Sequence, residues 1–192
     1  GAFSSPDEVL EREIMNHLFP DTTYGCESGG DPKYIPDLTY ENFLNFHRTY
    51  YHPSNSYIYL YGNMDMEEKL AFLDEHYLSH FDYLDVDSVI QEQKAFGTCQ
   101  DVTLEYPVAE NEGEEDNTYL SYNMVVGNAA DSQMAMAFEV LDYALLSAPG
   151  APLKQALLDV KAGKDVYGSY DDGILQPYFT VIAKGSNPDR KE

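Results

Sequence analysis

The nearest approach to a hydrolytic centre in this sequence is Phe72-Leu73-Asp74-Glu75-His76. A zinc hydrolase needs about three protein ligands, an open position for a water, and a carboxylate to take that water's proton. A helical H-x-x-E-H supplies two ligands and the base. Here the Glu-His end is present, but Phe72 stands where the first His belongs, and helix geometry cannot replace the missing bond. His76 and His80 are spaced to share a helix face, with Asp74 or Glu75 as a third group. The plainer reading places His80 at a helix end, where a cation complements the dipole. His47 reads as a helix-face residue and His52 as a turn residue. No residue is assigned as a metal ligand or as catalytic.

Other chemistries find less support. There is no Gly-x-Ser-x-Gly elbow for a serine nucleophile. Gly29, Gly30, Gly62 and Gly150 lack the Lys-Ser/Thr ending of a phosphate loop. Asp171 and Asp172 are adjacent in a turn and point apart, which does not suit paired acid–base work. Cys26 and Cys99 could form one disulfide, but the expectation is two separate buried thiols, neither in an activating context.

The elements that must position any site read as follows. Ser5-Pro6-Asp7-Glu8 opens a first helix with a cap, Pro at the first helical position and a Glu placed for a capping box. Leu10, Ile14 and Leu18 form its stripe. Residues 21–37 are a Gly/Pro/Asp-rich loop. Thr39 caps a second helix with Phe43, Phe46, His47 and Tyr50 on one face, and Pro53 ends it. Residues 56–61 alternate Tyr57, Tyr59 and Tyr61 against Ile58 and Leu60, so both faces can pack and an interior strand is expected. Asp65 caps a third helix with Met66, Leu70, Leu73, Tyr77 and Phe81 inward.

Residues 84–100 have weak periodicity and form a connector. Strands are expected at 102–106, 118–126, 165–170 and 174–183, the last two around an Asp171-Asp172-Gly173 turn. Residues 110–116 (ENEGEED) are too charged to bury and read as an exposed hairpin loop. Asp131 caps a long helix with Met134, Phe138, Leu141 and Leu145 inward, and a shorter helix follows over 152–160. Residues 185–192 read as a polar, exposed end. The class is α+β, with helices packed on largely antiparallel sheets.

The chain has 192 residues, 43% of them hydrophobic, with seventeen Tyr and nine Phe. That is enough for a sizeable core and excludes a disordered chain. The formal net charge of −23 repels nucleic acid and anionic membrane, so neither is an expected partner. The same charge favours cationic peptides, or serves as solvated surface. No apolar run approaches the ~20 residues of a membrane span. No targeting signal is visible, and the expected compartment is the cytoplasm.

The stretch LTYENFLNFHRTYYHPSNSYIYLYGNMD (residues 38–65) resembles the inverted-motif zinc peptidases, the pitrilysin and insulinase relatives, and within them the presequence-protease branch. The features are the Leu-Thr helix start, Phe-His-x-x-Tyr-Tyr, Pro-x-Asn and an apolar strand closing on Gly-Asn. The preceding loop, FPDTTYGCESGGDPKYIP (residues 19–36), is similar to that branch as well.

The resemblance implies two partial domains of a pitrilysin-like metallopeptidase. Residues 1–83 would be the C-terminal part of a first domain, 84–100 a connector, and 101–192 the first part of a second. It implies a zinc metalloendopeptidase degrading short unfolded peptides in a closed chamber. Peptides and the remaining domains of the parent protein would be its partners. The zinc ligands would lie outside this chain: Gly1-Ala2-Phe3 looks like the end of the segment carrying the third, a Glu. This chain would then bind no zinc, be inactive alone, and contribute chamber wall and scaffold. The alternative is a non-catalytic scaffold subunit or peptide-binding module of the same fold.

In insulin-degrading relatives a Gly-rich turn and a following strand hold the substrate's N-terminus. Ala148-Pro149-Gly150 and Val166-Tyr167-Gly168 are similar in position, so Gly150 and Gly168 are candidate substrate-binding residues. Ser147 and Ala148 replace the His and Glu of that turn. The competing reading is that both glycines serve turns and packing.

Overall fold

The computed structural model describes residues 5–109 and 113–191. They gather into two compact units, residues 29–89 and residues 1–28 with 90–192. Gly1-Ala2-Phe3 and residues 110–112 of the acidic loop lie outside the described residues. Among the described residues no helix is long and apolar enough to cross a membrane.

The larger unit is built on one antiparallel sheet of β1 (Thr118–Val125), β2 (Asp165–Asp171) and β3 (Tyr178–Ser186), in the order β1-β3-β2. Central β3 pairs Tyr122 with Val181 on one side and Gly168 with Val181 on the other. Along β3, Phe179, Val181 and Ala183 alternate with Tyr178, Thr180 and Ile182, and most of both sets is buried. Both faces of β3 are therefore covered, as expected for a strand between helix layers.

On one face Val126, Leu146, Val166, Phe179 and Ala183 form the core, joined by Phe138, Leu153 and Leu157. These last come from α4 (Ser132–Asp142) and α5 (Pro152–Asp159). Asp131 caps α4 as expected, its Oδ1 accepting from Met134 N–H at 3.0 Å. Phe138 stacks on Tyr170 at 5.5 Å, while Met134 and Leu141 stay exposed. The opposite face carries α1 (Pro6–Leu18), whose buried residue is Ile14. Phe19, fully buried after α1, packs edge-on against Tyr24 and Tyr178. Ser5 precedes α1 without a side-chain cap bond, so the expected capping box does not form.

Several expectations need correction. Residues 102–106 form no strand. The chain turns at Asp116, in a left-handed conformation with φ 57°. β3 starts at Tyr178, after a longer turn than expected, and continues to Ser186. Ser186 is buried and donates to the Ala162 carbonyl, so the chain end is polar only beyond it. Both cysteines are free and exposed, not buried. Within the larger unit, the segment after α1 meets the end of the connector. Gln93 accounts for part of this: its buried amide accepts from Asp21 N–H at 2.8 Å and donates to the Asp21 carboxylate at 2.8 Å.

The smaller unit holds α2 (Tyr40–Tyr50) and α3 (Met66–His76). Their caps follow the sequence: Thr39 Oγ1 accepts from Asn42 N–H at 3.2 Å, and Asp65 Oδ1 from Glu68 N–H at 3.0 Å. Pro53 opens a short 3-10 turn in which His52 Nδ1 accepts from Ser54 N–H at 3.1 Å. The start of the connector ties back to this turn, Leu84 N–H donating to Ser54 Oγ at 3.1 Å. Residues 56–61 form no ladder among the described residues, and the inward faces expected for α2 and α3 are not buried. A strand exists by virtue of its neighbours, and among the described residues none pairs with this one.

Candidate functional site

Gly150 and Gly168 come together. Both line one cleft of about 470 Å³, together with Leu146, Ser147, Pro149 and Lys154. The cleft exists because of how α4 ends. Past Asp142 the helix widens into a π-type turn over Tyr143–Ser147, closed by Ala148 N–H donating to Tyr143 C=O at 2.7 Å. Such turns carry one extra residue and recur at functional positions. This one buries Leu146 beneath β2 and leaves Ser147, Pro149 and Gly150 at the surface. Gly150 has φ +73°, a conformation that favours glycine, and Pro152 then opens α5.

Gly168 is glycine for a different reason. A Cβ there would lie 2.2 Å from the Thr180 carbonyl oxygen and 2.6 Å from Leu146 Cδ1. Its backbone is also available. β2 is an edge strand, and Val166 N–H donates to Asp165 Oδ1 at 2.8 Å, away from β3. Strand alternation then turns the N–H and C=O of Gly168 to the same open edge. Packing explains the missing side chain, and the edge explains what the missing side chain exposes.

Among the described residues Lys154 is the one charged side chain lining the cleft, with Nζ 3.4 Å from Asp165. No His, Cys, Asp or Glu lines it among the described residues. Asp142, ahead of the turn, has its carboxyl raised by burial.

Below the other sheet face, Asp7 gathers three partners. Lys184 Nζ donates at 2.9 Å, Tyr167 OH at 3.1 Å and Tyr119 OH at 3.4 Å. The Lys184 hydrogen bond does most to hold the Asp7 carboxyl below its usual range. Lys184 is itself raised, first by the Tyr119 hydroxyl and then by Asp7. Burial, and then Asp7, pushes Tyr167 up to about 12. Nothing in the spacing of these four residues announces the cluster; only Asp7's place in a helix first turn hints at a charge role.

The histidines do not converge. His47 stacks on Tyr51 at 4.9 Å, His52 meets Phe81 edge-on at 5.3 Å, and His76 lies against Phe72 at 4.6 Å. Among the described residues no three of His, Cys, Asp or Glu are grouped to hold a metal ion. With an aromatic ring where a ligand belongs, the Phe72–His76 segment does not fit zinc.

The larger unit is thus an α+β arrangement with one open sheet edge and a cleft lined in part by backbone. Residues 37–192 match the family described as the Peptidase M16 inactive domain, and the chain belongs to the M16 peptidase family. Protein HypA of Clostridium perfringens is 47% identical over 192 residues, covering 100% of this chain and 20% of that protein. Presequence protease 1, chloroplastic/mitochondrial, of Arabidopsis thaliana is 38% identical over 189 residues, 96% of this chain and 17% of that protein. The mitochondrial presequence protease of Xenopus laevis is 32% identical over 197 residues, 100% and 19% respectively. The chain thus spans about a fifth of the length of these relatives.

Proposed function

We propose that this chain is the part of a zinc metalloendopeptidase that walls the substrate chamber and holds peptide backbone, with the zinc site elsewhere in the parent protein. The observation that carries this reading is the single cleft shared by Gly150 and the open edge of β2 at Gly168. An extended peptide laid along that edge would gain main-chain hydrogen bonds without regard to its side chains. That suits a peptidase acting on many short unfolded substrates. The net charge of −23 would draw cationic peptides to the wall from a distance.

Full-length parent protein and a peptide series test the reading. Peptides N-methylated at successive amides should lose affinity at alternate positions, as strand pairing requires. Ser147→Trp, at the cleft mouth, should raise KM with kcat and melting temperature retained. Basic peptides should bind less tightly as salt rises to ~0.5 M, where the Debye length is a few Å. Equal affinity across the N-methylated series, with no effect of Ser147→Trp, would remove the cleft from substrate binding.

The second reading, a non-catalytic scaffold subunit or peptide-binding module, is favoured by the description of the matching family as an inactive domain. The parent sequence separates the two. H-x-x-E-H with a later Glu supports the enzyme, and their absence supports the scaffold.

A further inference from the structure

A second cavity, of about 400 Å³, lies within the larger unit on the α1 face of the sheet. α1 leans over β1, while the described lining residues come from α1, β2 and β3. The cavity therefore sits on the β2 side of the helix. α1 turns Asp7, Leu10, Glu11 and Ile14 to it at three- and four-residue spacing. Leu10 and Ile14, with Ile182 from β3, make its apolar wall.

The polar groups of this cavity are nearly all acceptors. Tyr167 OH gives its hydrogen to Asp7 Oδ1 at 3.1 Å, and Tyr178 OH gives its own to Asp171 Oδ2 at 3.2 Å. Burial, then Asp171 and lastly Glu11, pushes Tyr178 up to about 12, so it stays a neutral phenol. Ser169 Oγ and Thr180 Oγ1 share one hydrogen bond at 3.3 Å, which leaves one hydroxyl hydrogen and several lone pairs. Asn123, opposite Thr180 in the register, extends this row with an Oδ1 that is buried and has no hydrogen-bond partner. Asp7 is satisfied by Lys184, but Glu11, one turn further on, has no partner among the described residues. No Lys or Arg lines the cavity among those residues.

Acceptors without a cation, beside an aliphatic wall, match a donor-only head on an aliphatic stem. We propose that this cavity takes a lysine or arginine side chain of a peptide paired along the β2 edge. The inference rests on the strand-edge reading given above and adds a sequence preference to it. Tyr167 lines both this cavity and the Gly150 cleft, so the two meet at one sheet edge. A strand added there sends successive side chains to opposite faces. One set meets the Gly150 cleft, where Lys154 disfavours a basic residue, and the other meets Glu11. Main-chain pairing ignores side chains, whereas the Glu11 cavity selects one of them.

A peptide carrying a single lysine at successive positions, each compared with its norleucine counterpart, tests the proposal on the full-length parent protein. A chelator keeps the peptide intact during the measurement. At one position lysine should bind about 10-fold more tightly than norleucine, as expected of a charge-assisted hydrogen bond. Glu11→Gln should bring that ratio close to one with the melting temperature unchanged, since Glu11 has no partner to lose. Glu8→Gln removes the same charge from α1 outside the cavity and should leave the ratio as it was. A ratio that is equal at every position, unmoved by Glu11→Gln, or lowered equally by Glu8→Gln overturns the inference. In those cases alternation in the N-methylated series would still uphold strand pairing. Loss of that alternation removes both.

Discussion

Asp7 and Lys184 are separated by nearly the whole chain, yet Asp7 Oδ2 lies 2.9 Å from Lys184 Nζ. The pair joins the first turn of α1 to the end of β3. With Tyr119 from β1 and Tyr167 from β2 on the same carboxylate, one side chain touches all three strands. Both charged groups keep about half their surface in solvent, so the Coulombic part is modest and the geometric part matters more.

Asp7→Ala should therefore cost about 1 kcal/mol, chiefly through three lost hydrogen-bond partners. Urea denaturation would measure it, and hydrogen exchange should show α1 fraying from the sheet before the sheet opens. A double-mutant cycle with Lys184→Met should show coupling between the two residues. Full additivity would mean the pair is incidental.

The pH dependence follows from the same cluster. The folded pKa of Asp7 is depressed below the unfolded 3.8, so its stabilisation is present above that value and lost as pH falls through the folded one. Tyr167 runs the other way. Its pKa is raised from 10.0 to about 12, so its contribution is whole below pH 10 and lost as pH climbs toward 12. Melting temperature against pH should fall at both ends, and the Asp7→Ala variant should flatten the acid limb.

The two glycines should respond differently to Ala. At Gly168 the added methyl meets backbone of β3, which cannot step aside, so Gly168→Ala should cost about 3 kcal/mol or prevent folding. At Gly150 nothing lies within 4 Å of the added atom, and only the left-handed backbone resists. Gly150→Ala should cost about 1 kcal/mol. Thermal denaturation of the two variants would rank them. Equal losses would contradict the packing account of Gly168.

Zinc chemistry should be missing from this chain in isolation. One or two surface histidines leave a metal most of its waters, and among the described residues no three of His, Cys, Asp or Glu are grouped to hold one. After dialysis against zinc and removal of the excess, the chain should hold well under one ion per molecule. A quenched fluorescent peptide should stay intact overnight. Stoichiometric zinc with chelator-sensitive cleavage would point to His76 and His80, and His76→Ala would then have to abolish it.

The sequence made local features legible and distant ones obscure. Thr39, Asp65 and Asp131 were readable as caps because the acceptor and its donor lie within one helical turn. Ser5 misled, since a capping sequence does not guarantee the bond. Residues 56–61 and 102–106 carry strand-like alternation, but pairing depends on neighbours that periodicity does not supply. Gly150 and Gly168 were candidates by resemblance. Their meeting depends on the π-type turn at Tyr143–Ser147, which leaves no signal in residue type. The Asp7 cluster was invisible because its members come from four separate elements.

That turn also sets a phase. Because a π-type turn holds one residue more than an α-turn, everything after it is rotated by about 100° about the helix axis. Removing Ala144 would leave the core sequence intact and re-aim the Pro149-Gly150 corner away from β2. The cleft is thus indexed by residue number rather than by residue type, and a one-residue length change could abolish it while every lining side chain remained.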